Sequence, residues 1–189
     1  MSAQISEIVA SKFEEAKQVY FSEISFPSSN MVNLASLLQL RLAEGNKIAF
    51  IGNGGSAAEA SHIAAEFTGK CVVEHEPFAA ISLTDSNSAL TAIANDYGVQ
   101  EIFSRQVKAL LRSGDILIAL TTSGKSANIL KAIEVAKTLD IYTVVWMGDF
   151  ENVSIADEVW KVPSISTPRI QDIHLLWGHV LAQALEEAS

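Results

Sequence analysis

The sequence predicts an α/β fold, a parallel sheet covered by helices on both faces, and three observations lead there. Five short apolar runs, KIAFIG (47–52), FAAIS (78–82), DILIALT (115–121), YTVVWM (142–147) and EVWKV (158–162), read as buried strands, although periodicity alone does not separate them from short buried helices. Helical stretches at 56–68, 88–94, 101–111 and 126–139 lie between them, and a last helix at 168–188 closes the chain. Strands that are apolar throughout and alternate with helices belong to parallel sheets buried on both sides.

The first 45 residues read differently, as two helices. Ile5, Ile8, Phe13, Ala16, Val19 and Tyr20 recur at helical spacing. Phe26-Pro27-Ser28-Ser29-Asn30 interrupts them, and a Leu- and Ala-rich run follows at 31–43. The expected organisation is one domain over 1–189, with N-terminal helices at 1–45 and the α/β core plus terminal helix at 46–189.

Composition limits the function. At 189 residues, 49% hydrophobic and 19% charged, the chain can bury a substantial core. A net charge of −9 argues against a general nucleic-acid binder but not against a small anionic ligand held by backbone amides. The single Cys71 excludes an intramolecular disulfide and a cysteine-rich zinc site. No apolar run approaches the ~18–20 residues of a membrane helix. The opening MSAQISEIVASKFEE lacks a basic segment followed by an apolar one. The expected setting is the cytoplasm, with neither membrane nor nucleic acid as partner.

In such sheets ligands bind beyond the carboxyl ends of the strands, on the loops that lead into helices. Gly52-Asn53-Gly54-Gly55-Ser56 follows the first strand; its glycines allow a tight turn, and the helix it opens offers free N–H groups to an anion. The same loop is equally a plain strand-to-helix turn with Ser56 as N-cap. Thr121-Thr122-Ser123-Gly124-Lys125-Ser126 opens another helix with four hydroxyls. It is not a nucleotide-triphosphate loop, because Ala119 stands where that motif needs glycine. It suits a phosphate monoester, with hydroxyl and backbone donors together. Asn95-Asp96-Tyr97-Gly98 is a turn signal that would add a polar rim for hydroxyl groups.

The histidines are ambiguous taken alone. His62 and Glu66 stand four apart on one helix face with Glu59, which makes either a solvated ion pair or a chemical pair. His75, between glutamates in VVEHEP, reads as solvated. In the last helix Gln171 and His179 are eight residues apart, roughly 80° around the axis. His174 falls on the other side of Gln171, and His179 is flanked by Trp177, Val180 and Leu181.

Together GNGGSAAEASHIAAEFTGK, TAIANDYGVQEIFSRQV, TTSGKSANILKAI and RIQDIHLLWGHVLAQALEE resemble the sugar isomerase (SIS) family, in order and over nearly the whole chain. Its members acting on sedoheptulose 7-phosphate are the most similar. The resemblance implies a three-layer αβα sandwich around a five-stranded parallel sheet. It implies substrate contacts at Asn53, Gly54, Gly55 and Ser56, a phosphate held by Thr121, Thr122, Ser123 and Ser126, and sugar contacts at Asn95, Asp96 and Gln171. It implies one zinc ion on His62, Glu66, Gln171 and His179, with Glu66 and His179 as the acid/base pair. It further implies a homotetramer with active sites at subunit interfaces, so that His179 would complete a neighbour's site. Leu34, Leu37, Leu38 and Leu40 would then pack between subunits, or else cover their own sheet. GDFENVS after the fourth strand and Lys125 depart from the family pattern. The implied reaction is aldose–ketose isomerisation of a seven-carbon sugar phosphate through an ene-diol. The alternative is a non-catalytic relative that binds sugar phosphates or the bacterial replication initiator. Retention of both Glu66 and His179 favours the enzyme.

Overall fold

The five apolar runs form five parallel strands, β1 (Ile48–Gly52), β2 (Ala80–Ser82), β3 (Ile116–Leu120), β4 (Tyr142–Met147) and β5 (Glu158–Lys161), in the spatial order β2-β1-β3-β4-β5. The computed structural model describes residues 2–22, 28–151 and 155–189. Ile48 lies opposite both Ala80 and Ile116, Ile116 opposite Tyr142, and Val144 opposite Glu158. The chain runs outward from β1 to β2 and then returns to the other side of β1 as β3. The strand order therefore reverses between β1 and β3, and a crevice opens at their carboxyl ends, where parallel sheets bind ligands.

Among the described residues seven α-helices accompany the sheet: α1 (Ser2–Tyr20), α2 (Ser28–Ala43), α3 (Gly55–Thr68), α4 (Asn87–Tyr97), α5 (Ser104–Leu110), α6 (Ala127–Thr138) and α7 (Thr167–Ala188). Successive strand residues face opposite sides. Ile48, Phe50, Ile116, Ile118, Leu120, Val144 and Trp146 pack on α2, α3 and α7. Ala49, Ile51, Leu117, Ala119, Val145 and Met147 pack on α5 and α6. The result is the expected three-layer αβα sandwich. On the first side Trp146, Trp160 and Trp177 pack ring on ring at 5.4–5.8 Å. All three are nearly inaccessible to solvent, and burying an aromatic of this size contributes about 1.5–3 kcal/mol or more.

The helices at the amino end divide their apolar residues. In α2, Leu34 and Leu38 are buried against the sheet side that carries α7, whereas Leu40 is exposed. In α1, Ile5, Ile8, Val9 and Phe13 all face solvent. The expected break at 26–30 falls partly on residues 23–27, outside the described residues. The same holds for residues 152–154 of the loop after β4. Among the described residues no helix is long and apolar enough to cross a membrane.

Two local expectations need correction. Asn95 and Asp96 are not in a turn: Ser86 accepts from Ala89 N–H and starts α4 early, and the helix continues to Tyr97, ending at Gly98 with φ 91°. The helix expected at 101–111 is broken, because Ser104 Oγ donates to the Glu101 carbonyl behind a short 3₁₀ turn, Val99–Glu101.

Candidate active site

Three helices that follow strands begin around one cavity of ≈ 180 Å³, at the β1/β3 crevice. Asn53, Gly55 and Ser56 line it from the start of α3, Thr121, Thr122 and Ser126 from the approach to α6, and Thr167 and Gln171 from the start of α7. The positive ends of three helix dipoles thus meet at one place, an arrangement suited to a phosphate. Ser56 is not the N-cap. Gly54 is, and Ser56 is buried inside the first turn. Its hydroxyl lies 3.5 Å from Gln171 Nε2. Gln171 lies so close over Gly55 that an added Cβ would come within 2.3 Å of its amide. Within the hydroxyl loop, Thr121 Oγ1 accepts from Gly124 N–H and Ser123 Oγ from Lys125 N–H, so Ser123 is used in shaping the turn.

Two turns further along the same two helices, His62, Glu66 and His179 meet. His62 Nε2 is 2.9 Å from His179 Nε2 and 3.1 Å from Glu66 Oε1. The rings are edge-on, with centroids 5.2 Å apart. One ligand atom from each residue lies within 4.8 Å of the others. A tetrahedral zinc ion with bonds of about 2.0–2.1 Å spaces its ligand atoms by roughly 3.3 Å, so the three fit one divalent ion with a small opening movement. Two imidazole nitrogens in contact share a single proton, a situation that a cation between them would replace. The triad is complete within one chain; His179 does not wait for a neighbour. Gln171 stands apart from it, eight residues before His179 and about 12 Å along the helix axis. Its contacts are Gly55 and Ser56.

Known proteins resemble this chain in sequence and in fold. The SIS domain family matches residues 12–148. The phosphoheptose isomerase of Aquifex aeolicus is 41% identical over 177 residues, 93% of each chain. That of Thermodesulfovibrio yellowstonii is 41% identical over 186 residues, 97% of this chain and 92% of the relative. The chain belongs to the phosphoheptose isomerase family. Phosphoheptose isomerase GmhA from Neisseria gonorrhoeae has a similar structure, with a TM-score of 0.88, 38% identity, and coverage of 97% of this chain and 99% of that one. The chain is therefore an isomerase, which decides against the non-catalytic alternative.

What holds the phosphoheptose isomerase triad in place is only partly visible in sequence. Gly178, next to His179, lets α7 approach α3; a Cβ there would meet the Ile63 side chain at 2.5 Å, beside His62. Further along, Glu186 accepts from the N–H groups of Cys71, Val72 and Val73 at 2.5, 2.9 and 3.0 Å. Burial would raise the Glu186 pKa, but these donors and nearby His75 hold it below the usual carboxylate value. His75 is not solvated: its side chain is fully buried, stacked on Phe78, with Nε2 3.3 Å from Glu186 Oε1, an ion-pair distance without a formed hydrogen bond. Its neighbouring glutamates misled the sequence reading, because its partner lies over a hundred residues away. Gln183 Nε2 donates to Cys71 Sγ at 3.8 Å, and burial foremost pushes the Cys71 thiol pKa up.

Two groups, half-buried Glu59 and buried His174, are shifted far from their ordinary pKa values. Burial raises Glu59 to about 7, helped by Asp172 and opposed by the Ser56 hydroxyl. Burial lowers His174 to about 3, since its ring is enclosed by Trp146 and Trp177. His174 thus belongs to the core.

Some expected residues are not brought together. Asn95 and Asp96 are exposed in the last turn of α4, about 12 Å along the axis from its start. Asn95 Nδ2 donates to Asp96 Oδ1 at 2.7 Å, and neither residue lines the cavity. Thr167, which the sequence reading missed, does line it; the signal available was its place just before Pro168 at the start of the last helix.

Proposed function

We propose that this isomerase interconverts D-sedoheptulose 7-phosphate and D-glycero-D-manno-heptose 7-phosphate in the cytoplasm, the first step toward nucleotide-activated heptose. One observation carries the reading: the distance between the cavity and the triad. From Gly55 to His62 is seven residues, about 10 Å along α3. A seven-carbon sugar phosphate in extended form spans roughly 9–10 Å from phosphorus to C1, by ordinary bond lengths. A phosphate among Ser56, Thr121, Thr122, Ser126 and the three helix N-termini therefore brings C1 and C2 to Glu66 and His179. Asn53, Gly54, Gly55 and Gln171 would contact the chain between, and Ser123 supports the phosphate turn.

Glu66 removes the C1 proton of the open-chain ketose. His179 delivers a proton to the C2 oxygen, giving the ene-diol. Return of a proton to C2 and loss of the O1 proton complete the aldose, with no net change in protons. By microscopic reversibility the same residues serve the reverse direction, Glu66 moving carbon-bound protons and His179 oxygen-bound ones. Phosphate binding, remote from C1, holds the substrate without taking part in bond changes. His62, Glu66 and His179 would hold a zinc ion; when bound, it supplies Lewis-acid polarisation of the carbonyl and ene-diolate oxygens. Gln171, the fourth ligand implied by the resemblance, is supported as a cavity residue only. A carboxylate held by a cation is a weaker base, so Glu66 acts on carbon when it is not a ligand.

The proposal includes a homotetramer with sites at subunit interfaces. Its supports are the exposed Ile5, Ile8, Val9 and Phe13 of α1 and the distance of Asn95 and Asp96 from the cavity of their own chain. On this reading Asn95 and Asp96, rather than His179, are the residues contributed by a neighbour. NMR of products formed from sedoheptulose 7-phosphate, with a six-carbon ketose phosphate beside it, tests the substrate. Equal turnover of both sugars would overturn the length argument. Mixing inactive Glu66→Gln and Asp96→Asn chains tests the shared site: recovered activity is expected, and none would refute it.

A further inference from the structure

One side-chain pair joins the two turns at the cavity, and the proposed chemistry does not use it. Asn53 Nδ2 donates to Asn128 Oδ1 at 2.9 Å, and Asn128 Nδ2 donates to Asn53 Oδ1 at 2.8 Å. Asn53 stands at the exit of β1 and lines the cavity; Asn128 is buried in the first turn of α6. The N–H of Ile129 also donates to Asn128 Oδ1, at 3.0 Å. A backbone N–H can only donate, so this bond fixes which Asn128 atom is the oxygen. The orientation of the Asn53 amide follows. Asn128 Oδ1 then has both lone pairs occupied, whereas Asn53 retains one free N–H and one free lone pair.

We infer that Asn128 is a positioning residue of the sugar-phosphate site, acting through Asn53. It sets which way the Asn53 donor and acceptor face, and it ties the start of α6 to the turn before α3. The pair behaves like a base pair: two hydrogen bonds with one allowed polarity, shielded on the Asn128 side. A ligand hydroxyl meeting Asn53 therefore finds its donor and acceptor already ordered, with less conformational freedom to lose on binding. The inference rests on Asn53 as a substrate-binding residue, and the test separates the two.

The experiment uses the full-length isomerase with Asn53→Ala, Asn128→Ala, Asn128→Asp and the Asn53→Ala/Asn128→Ala double variant. Readouts are KM and kcat for sedoheptulose 7-phosphate, competitive inhibition by inorganic phosphate, and Tm. Each single alanine variant is expected to raise KM about tenfold, the effect of roughly one hydrogen bond, with inorganic phosphate inhibition unchanged. The double variant should be no worse than the worse single one. Asn128→Asp keeps the size and the contacts to Ile129 N–H and Asn53 Nδ2 but sets an oxygen against Asn53 Oδ1. It should raise KM as much as Asn128→Ala, and it serves if the alanine variant fails to fold. Multiplying losses in the double variant, or an unchanged KM in Asn128→Asp, would overturn the positioning role while leaving Asn53 as a binding residue. An unchanged KM in Asn53→Ala would remove the premise itself.

Discussion

The two ends of the α3–α7 pair are built from different materials. At the amino end, around Gly55 and Gln171, the cavity is lined by backbone, hydroxyl and amide groups at three helix starts. Those donors stand where they do because every helix after a parallel strand begins at the carboxyl edge of the sheet. Two turns on, His62, Glu66 and His179 are three side chains from two helices, and their meeting depends on the close contact of Gly178 with Ile63. The proposed anion-binding end follows from topology. The proposed catalytic end follows from helix spacing and the close packing of two helices.

Substitutions at each end should separate the two. Glu66→Gln and His179→Gln are expected to lower kcat by about 10²–10⁴, the usual worth of an acid or base, with Tm and inhibition by inorganic phosphate nearly unchanged. Near-normal turnover in either would end its proposed role. Chelation should abolish turnover, and added zinc should restore it, again without altering phosphate inhibition; full activity in a metal-free preparation, checked by elemental assay, would contradict the cation site. Gly178→Val should force α7 from α3, costing about 1–3 kcal/mol of stability by overpacking and lowering kcat through the triad. Gly55→Ala should press on Gln171 and raise KM, with kcat less affected. The same kcat-to-KM pattern in both glycine variants would erase the distinction between the ends.

A further set of effects is in stability against pH. His174 has a folded pKa of about 3 and an ordinary value of 6.5. Between these the unfolded chain takes up a proton that the folded one refuses, so this stability is present above 6.5 and is lost as pH falls toward 3. Glu59 works in the opposite direction, with about 7 when folded against 4.5. The folded chain keeps a proton that the unfolded one releases, so this stability is present below 4.5 and is lost as pH rises through 7. Glu59→Gln should therefore raise Tm at pH 8 relative to the parent and change it least at pH 5. An equal shift at both would show that its carboxyl does not titrate as described.

Much of the fold was legible because the central strands β1 and β3 are apolar throughout and bounded by turn residues. Helix limits were less so: α4 runs past Asn95 and Asp96 because nothing before Gly98 stops it. The two phosphate-type turns were visible locally as glycine and hydroxyl clusters before helices. The third, at Thr167, was not, since a single threonine before a proline carries little signal. His62 and Glu66 showed their shared face through spacing, but spacing could not tell a solvated ion pair from half of a site. His75 was misread for the same reason, because Glu186 is remote in sequence.

Local chemistry in the chain determined the strands, the alternation, and the donors that an anion would meet, since each depends on neighbours within a few residues. Only tertiary structure decided that His179 reaches His62, that Asn128 orients Asn53, and that Asn95 and Asp96 lie away from their own cavity. These depend on helix packing across the sheet, where one missing Cβ at Gly178 sets distances between residues more than a hundred positions apart.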